Sequence, residues 1–173
     1  MKRIISFISV GFLLIGLSEI KAQQLSVYVN SLNGIMAENS FVGGSRGISL
    51  GIDYLHPIKN NFNWLGGIEF NSVSWGNNMV ANIGLNYSQI ISDSWSWSVT
   101  AQTQQGIALF KPAFYSWGLS GTAAIEYNLT AATSLSLGTG LRFYNCPEYK
   151  KYSSISYYVD FPIEISYHIR LNN

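Results

Sequence analysis

The sequence predicts an all-β chain in which eight antiparallel strands close into an up-and-down transmembrane barrel. Three observations predict it: alternation with a period of two, a scarcity of charge, and short breaks that alternate with longer ones. The alternation is plainest in SWSWSVTAQTQQ (94–105), where Trp95, Trp97, Val99 and Ala101 form one set and Ser96, Ser98, Thr100 and Gln102 the other. That is the pattern of a strand with one apolar and one polar face. Charged residues make up 11% of the chain and aromatics 14%, whereas ordinary soluble domains carry about 25% charge. After the first segment no apolar run approaches the roughly 18 residues that a membrane helix needs.

The chain begins Met1-Lys2-Arg3, runs through the apolar stretch 4–17 and a short polar stretch, and reaches Ala22. A charged start, an apolar run too short to span and a small residue at the cut read as a secretory signal peptide over 1–22. No cysteine follows the apolar run, so a lipoprotein is not expected. The remainder, 23–173, reads as one domain without a linker. Its formal charge moves from +1 to −1 once Lys2, Arg3, Glu19 and Lys21 are removed, which offers no basis for binding nucleic acid. Cys146 has no cysteine partner, and with two distant histidines it makes neither a disulfide nor a zinc site. No metal or cofactor is expected.

Taken in order, the first strand covers 24–32 and ends at the Asn- and Gly-containing stretch 33–45. The second, 46–56, runs into HPIKNN (56–61), a turn-forming cluster. The third, 62–74, stops at WGNN (75–78), and the fourth, 79–91, at SDS (92–94). The fifth, 95–109, precedes FKPAFYS (110–116), and the sixth, 117–129, precedes LTAAT (129–133). The seventh, 134–144, gives way to NCPEYKKYS (145–153), and the eighth occupies 154–170. Each is long enough for a tilted crossing of a bilayer, about 9–11 residues. Tight and long connections alternate as they do between the periplasmic and outer sides of such barrels. An even strand number leaves both termini on the tight-turn side.

Composition decides which face is outside. The polar sets, such as Gly118, Ser120, Thr122, Ala124, Glu126 and Asn128, hold small neutral groups, where a water-facing surface would carry about a quarter to a third charged residues. The apolar sets carry aromatics sorted by strand end. Tyr54, Phe62, Trp64, Tyr87, Trp95, Trp97, Tyr127 and Tyr167 lie near the tight turns, and Phe70, Trp117, Phe143 and Tyr157 toward the other ends. Two bands around an aliphatic belt match the girdles of a membrane barrel. The expected lumen then contains Asp53, Glu69, Glu126, Arg142, Asp160, Glu164, His168 and Arg170. In an interior just filled by side chains, such charges must pair. Arg142 is expected to bridge Glu69 and Glu164 at mid-height, with Arg170, His168, Glu126 and Asp53 nearer the tight turns.

An enzyme would need a nucleophile and a base in reach of each other. His56 and His168 fall at the tight-turn end in the contexts LHPI and YHIR, neither beside a serine, and GGS and GTG fit no phosphate loop. Glu148 and Lys150 read as solvated loop charges. No catalytic residue is assigned.

YYVDFPIEISYHIR (157–170) resembles the closing strands of small outer-membrane barrels common in Bacteroidota, porin-like or OmpX-like in type, and SLSLGTGLRFYN (134–145) resembles the strand before it. The KAQQ end of the signal peptide is similar too. The resemblance implies an outer-membrane protein of a Gram-negative bacterium, in contact with outer-membrane lipid and inserted by the barrel assembly machinery. Many such barrels end in an aromatic residue; this chain ends Leu171-Asn172-Asn173, leaving Tyr167, Ile169 and Leu171 as the stripe to be recognised. The expected product is a monomer with a polar, occluded lumen and a structural or surface-interaction role, its envelope or extracellular partner unnamed. A narrow channel for small or hydrophobic molecules is the alternative, and a lipid A-modifying enzyme a third. The stretches 33–45 and 145–153 are the expected exposed loops.

Overall fold

The computed structural model describes residues 23–38, 41–73, 76–109, 113–147 and 155–171. The expected signal peptide, Glu148 and Lys150 lie outside the described residues. The strands are β1 (Gln24–Glu38), β2 (Phe41–Lys59), β3 (Phe62–Val73), β4 (Gly76–Ile90), β5 (Trp95–Ala108), β6 (Phe114–Asn128), β7 (Thr133–Asn145), β8 (Ile155–Asp160) and β9 (Ile163–Arg170). Each pairs antiparallel with its chain neighbour from β1 to β7, and β8 and β9 together form one last stave between β7 and β1. Eight staves therefore close into a barrel, and among the described residues strand edges are left only at the long-loop end, where β2 and β6 extend beyond their pairing with β3 and β7.

Closure has a measurable slip. Following paired residues from Ser26 leads through Asp53, Gly67, Asn82, Gln104, Gly118, Tyr144 and Tyr158 back to β1 at Met36. The return is displaced by ten residues, from 26 to 36. Eight staves with that stagger tilt by about 40° to the barrel axis, given strand rise and spacing.

The faces sort as a lipid-facing barrel requires. Outward Ile68 and Leu137 are each 61% exposed, and Ile83, Leu119, Ile125 and Ile165 are also exposed. Inward Gln104 and Asp160 are 0% exposed. The molecule thus wears its aliphatic residues outside and its polar ones inside, the reverse of a soluble domain.

Several boundaries differ from the sequence reading. The stretch 33–45 is mostly ladder: β1 and β2 pair as far as Glu38 with Phe41. Its glycines are not all turn signals. A Cβ on Gly34 would fall 2.2 Å from the ring of Tyr158, so a strand residue there must be glycine. Likewise β2 runs past His56 to Lys59, and the turn is carried by Asn60 at φ 53°, a left-handed conformation that asparagine tolerates. The eighth stave is interrupted at Phe161–Pro162, because proline cannot donate to a ladder.

Candidate functional site: the lumen

The inward positions build a polar network at mid-height. Arg142 on β7 and Glu69 on β3 form an ion pair across the lumen, with side chains 1% and 0% exposed. Glu69 also accepts from Tyr28 OH at 3.1 Å and from Gln104 Nε2 at 3.3 Å. Asn82 joins three groups, donating to Tyr28 OH at 3.0 Å and Asp53 Oδ1 at 3.4 Å, and accepting from Gln104 at 3.1 Å. In the amide orientation that satisfies both its ends, Asn30 donates to Glu164 Oε2 at 3.1 Å and accepts from Ser49 and Arg142 Nη2. Glu164 is thus tied to Arg142 through Asn30, and Asp160 stands opposite Arg142 in the β7–β8 register. Asp160 Oδ1 also accepts from the Asn33 backbone N–H at 3.2 Å.

A second cluster closes the tight-turn end. Glu126 accepts from Ser134 Oγ and, at 3.4 Å, from Arg170 Nη2. Arg170 also donates to Asn128 Oδ1 at 2.7 Å and to the Ala131 carbonyl at 2.9 Å. His168 Nε2 lies 2.9 Å from Ser136 Oγ.

Apolar side chains lie on either side of the mid-height network. Val80, Tyr144 and Tyr158 pack together toward the long-loop end, while Leu55 and Leu65 are buried nearer the tight turns. Tyr28 fits only because Gly51 has no side chain; a Cβ there would stand 2.2 Å from its ring. Each charge of the layer has at least one hydrogen-bond partner, although Arg142 Nε and Asp160 Oδ2 are buried without one.

All eight expected lumen charges point inward, but the heights differ from the sequence reading in one respect. Asp53 belongs with Glu69 through Asn82, rather than with the tight-turn cluster. The stagger of ten lifts each stave relative to the last, so distance from a turn is not height in the barrel. Sequence reasoning missed Tyr28, Asn30, Asn82 and Gln104, the neutral groups that complete the network. Their signal was available: long or amide-bearing residues at inward positions.

It also missed the contact between His168 and Ser136, which are 32 residues apart. The pair does not amount to a nucleophile and base. His168 Nδ1 has no acidic partner, Glu126 being engaged by Ser134 and Arg170, and a triad needs that acid to orient the ring. His56 is outward on β2, beside Tyr54 and Trp64 at ring separations of 6.4 and 5.8 Å. Among the described residues no group of histidines, cysteines and carboxylates is disposed to hold a metal. Cys146 Sγ contacts the Tyr115 carbonyl at 3.3 Å.

The outward aromatics form arcs at both ends. At the tight-turn end ring centroids lie 5.8 Å apart for Tyr54–Trp64, 5.5 Å for Tyr87–Trp97 and 4.9 Å for Trp95–Tyr127. Phe62 joins Tyr87 at 5.0 Å, and Tyr167 faces outward on β9, in one cross-strand row with Leu135 and Tyr127. Toward the opposite end Trp117, Phe143 and Tyr157 follow one another at 5.6 and 5.9 Å, and Phe70 is exposed on β3.

No protein-family model matches the sequence, and no curated protein matches it. Among solved structures, Neisserial surface protein A superimposes with a TM-score of 0.62 at 12% identity, over 85% of this chain and 97% of that one. Ail, the attachment invasion locus protein of Yersinia pestis, gives a TM-score of 0.48 at 12% identity, over 87% of this chain and 100% of that one. At these identities the likeness is one of fold. The fold is that of small eight-stranded outer-membrane β-barrels, and the outer membrane is the compartment it indicates.

Proposed function

We propose that the chain is a monomeric outer-membrane barrel whose lumen is a static salt-bridge core, and that its role is structural or surface-interacting rather than catalytic or conductive. The observation that carries this reading is the Arg142–Glu69 pair, buried and held by Tyr28, Asn30 and Gln104 across the full width of the lumen. A conduit would need room beside these groups, and a gate would need one of them free to move.

In this reading residues 1–22 are a signal peptide and the tight turns face the periplasm. The arcs around Trp95 and Trp117 sit at the two lipid interfaces. The stripe Tyr167, Ile169 and Leu171 is what the assembly machinery reads. The closing-strand likeness supports an origin among Bacteroidota. A partner would meet the long-loop end, where β1 and β2 continue as a paired hairpin to Glu38 and Phe41.

The test is planar-bilayer conductance of the refolded protein, alongside Arg142→Ala, each first checked for a gel band that shifts on boiling. Silent bilayers from both folded proteins support the static core. Discrete conductance steps from the wild type would turn the reading to a channel, and altered lipid A in cells expressing the protein would turn it to an enzyme.

A further inference from the structure

The last stave carries a proline where a barrel wall has no place for one. The registers Arg142↔Asp160 and Thr139↔Ile163 on one side, and Gly34↔Asp160 and Ser31↔Ile163 on the other, carry through without a shift. They put Pro162 opposite Gly140 on β7 and Leu32 on β1. The Phe161 N–H donates to the Asn33 carbonyl on β1 at 3.1 Å. Backbone N–H groups alternate sides along a strand, so the next donor should point to β7, and Pro162 has none. Thr139 Oγ1 donates to the Pro162 carbonyl at 2.9 Å, which gives the proline's acceptor a partner but leaves its absent donor unreplaced.

Two further features coincide there. The wall carries no side chain at two adjoining positions: Gly140 points inward so close to β6 that a Cβ would fall 2.1 Å from the Gly121 carbonyl, and outward Gly121 has only the Thr100 carbonyl, 3.9 Å from where a Cβ would stand. Behind it, one cross-strand row holds Gln102, Ser120, Arg142 and Asp160. Gln102 Oε1, Ser120 Oγ, Arg142 Nε and Asp160 Oδ2 are all buried without a hydrogen-bond partner. Buried polar atoms of this kind cost free energy for as long as they stay dry.

We infer that the seam between β7 and the last stave is where the wall opens locally, admitting water to the Gln102–Ser120–Arg142–Asp160 row. The missing ladder bond lowers the cost of parting the strands, and the unsatisfied row gains partners when they part. The opening is sub-global: at the same height the ladders from β1 through β6 run without a break, and the barrel remains closed elsewhere.

Backbone hydrogen exchange of the full-length folded protein in micelles tests this. Amides of Gly140 and Arg142 should exchange at least about fivefold faster than those of Thr100 and Thr122, the matched pair on β5 and β6, as local opening of one fewer hydrogen bond implies. Pro162→Ala restores a donor and should slow the seam amides about fivefold while leaving Thr100 and Thr122 unchanged. Seam amides as protected as those of β5 and β6 in the wild type would overturn the inference, as would an unchanged seam in Pro162→Ala. Loss of the boiling-dependent gel shift in the wild type would instead overturn the barrel itself.

Discussion

Consider removing Arg142 alone. In Arg142→Ala the Glu69 carboxylate stays where Tyr28, Gln104 and the surrounding staves hold it, 0% exposed and without its cation. Deleting one member of a buried pair costs about 3–5 kcal/mol, most of it the penalty of the charge left behind. Two neutral hydrogen bonds to Glu69 recover only part, since each contributes about 1 kcal/mol. The companion Glu69→Gln strands Arg142 in the same way. The double variant Arg142→Met/Glu69→Leu removes both charges and should be far less harmful than the sum of the singles, with a coupling of about 2 kcal/mol or more. Urea unfolding in micelles, followed by the fluorescence of the chain's five tryptophans, reads all the free energies needed. A loss below about 1 kcal/mol for Arg142→Ala, or additive singles, would refute the claim that this pair organises the lumen.

Gly51→Val should destabilise by about 1–3 kcal/mol, because its Cβ would meet the Tyr28 ring at 2.2 Å; Tyr28→Ala in the same chain should relieve the clash, as shown by the urea midpoint. Trp95→Ser should lose the ring contact with Tyr127 at 4.9 Å, an effect of about 0.5–1.5 kcal/mol beyond lost area, measured by unfolding in lipid vesicles. Asn60→Val should cost about 1–2 kcal/mol through its positive φ, whereas Asn60→Gly should be nearly neutral. Both can be compared by the temperature at which the gel shift is lost.

The strands were legible because lipid and lumen impose opposite chemistry on alternate residues, and Trp95-Ser96-Trp97-Ser98 displays this without help from tertiary structure. Strand ends were less so. Gly34 in the first predicted loop imitates a turn residue, but its function is to leave space for Tyr158, a ring more than a hundred residues away. The proline break was visible as a residue, not as a break, since only the β7 pairing shows that Pro162 faces a strand on both sides. The lumen charges could be assigned to the inside from parity alone. Which of them meet is fixed by the stagger, and no short stretch of sequence encodes a stagger. Arg142 meeting Glu69, and Asp53 joining them through Asn82, are consequences of that one global quantity.

The stagger of ten has a consequence for how the gene can change. Around a closed ring of hairpins the register offsets must sum to one integer, and that integer sets the girth of the molecule. Deleting one residue inside a stave turns the inward and outward sets of its remaining half inside out, so lipid would meet Ser and Asn. Deleting two restores parity but forces the offset to eight somewhere in the circuit, and the barrel then narrows by about a tenth. The interior that accommodates Tyr28, Tyr144 and Arg142 side by side would no longer hold them. Length variation is therefore confined to the connections, which lie outside the circuit, and evolution of the wall must proceed by substitution.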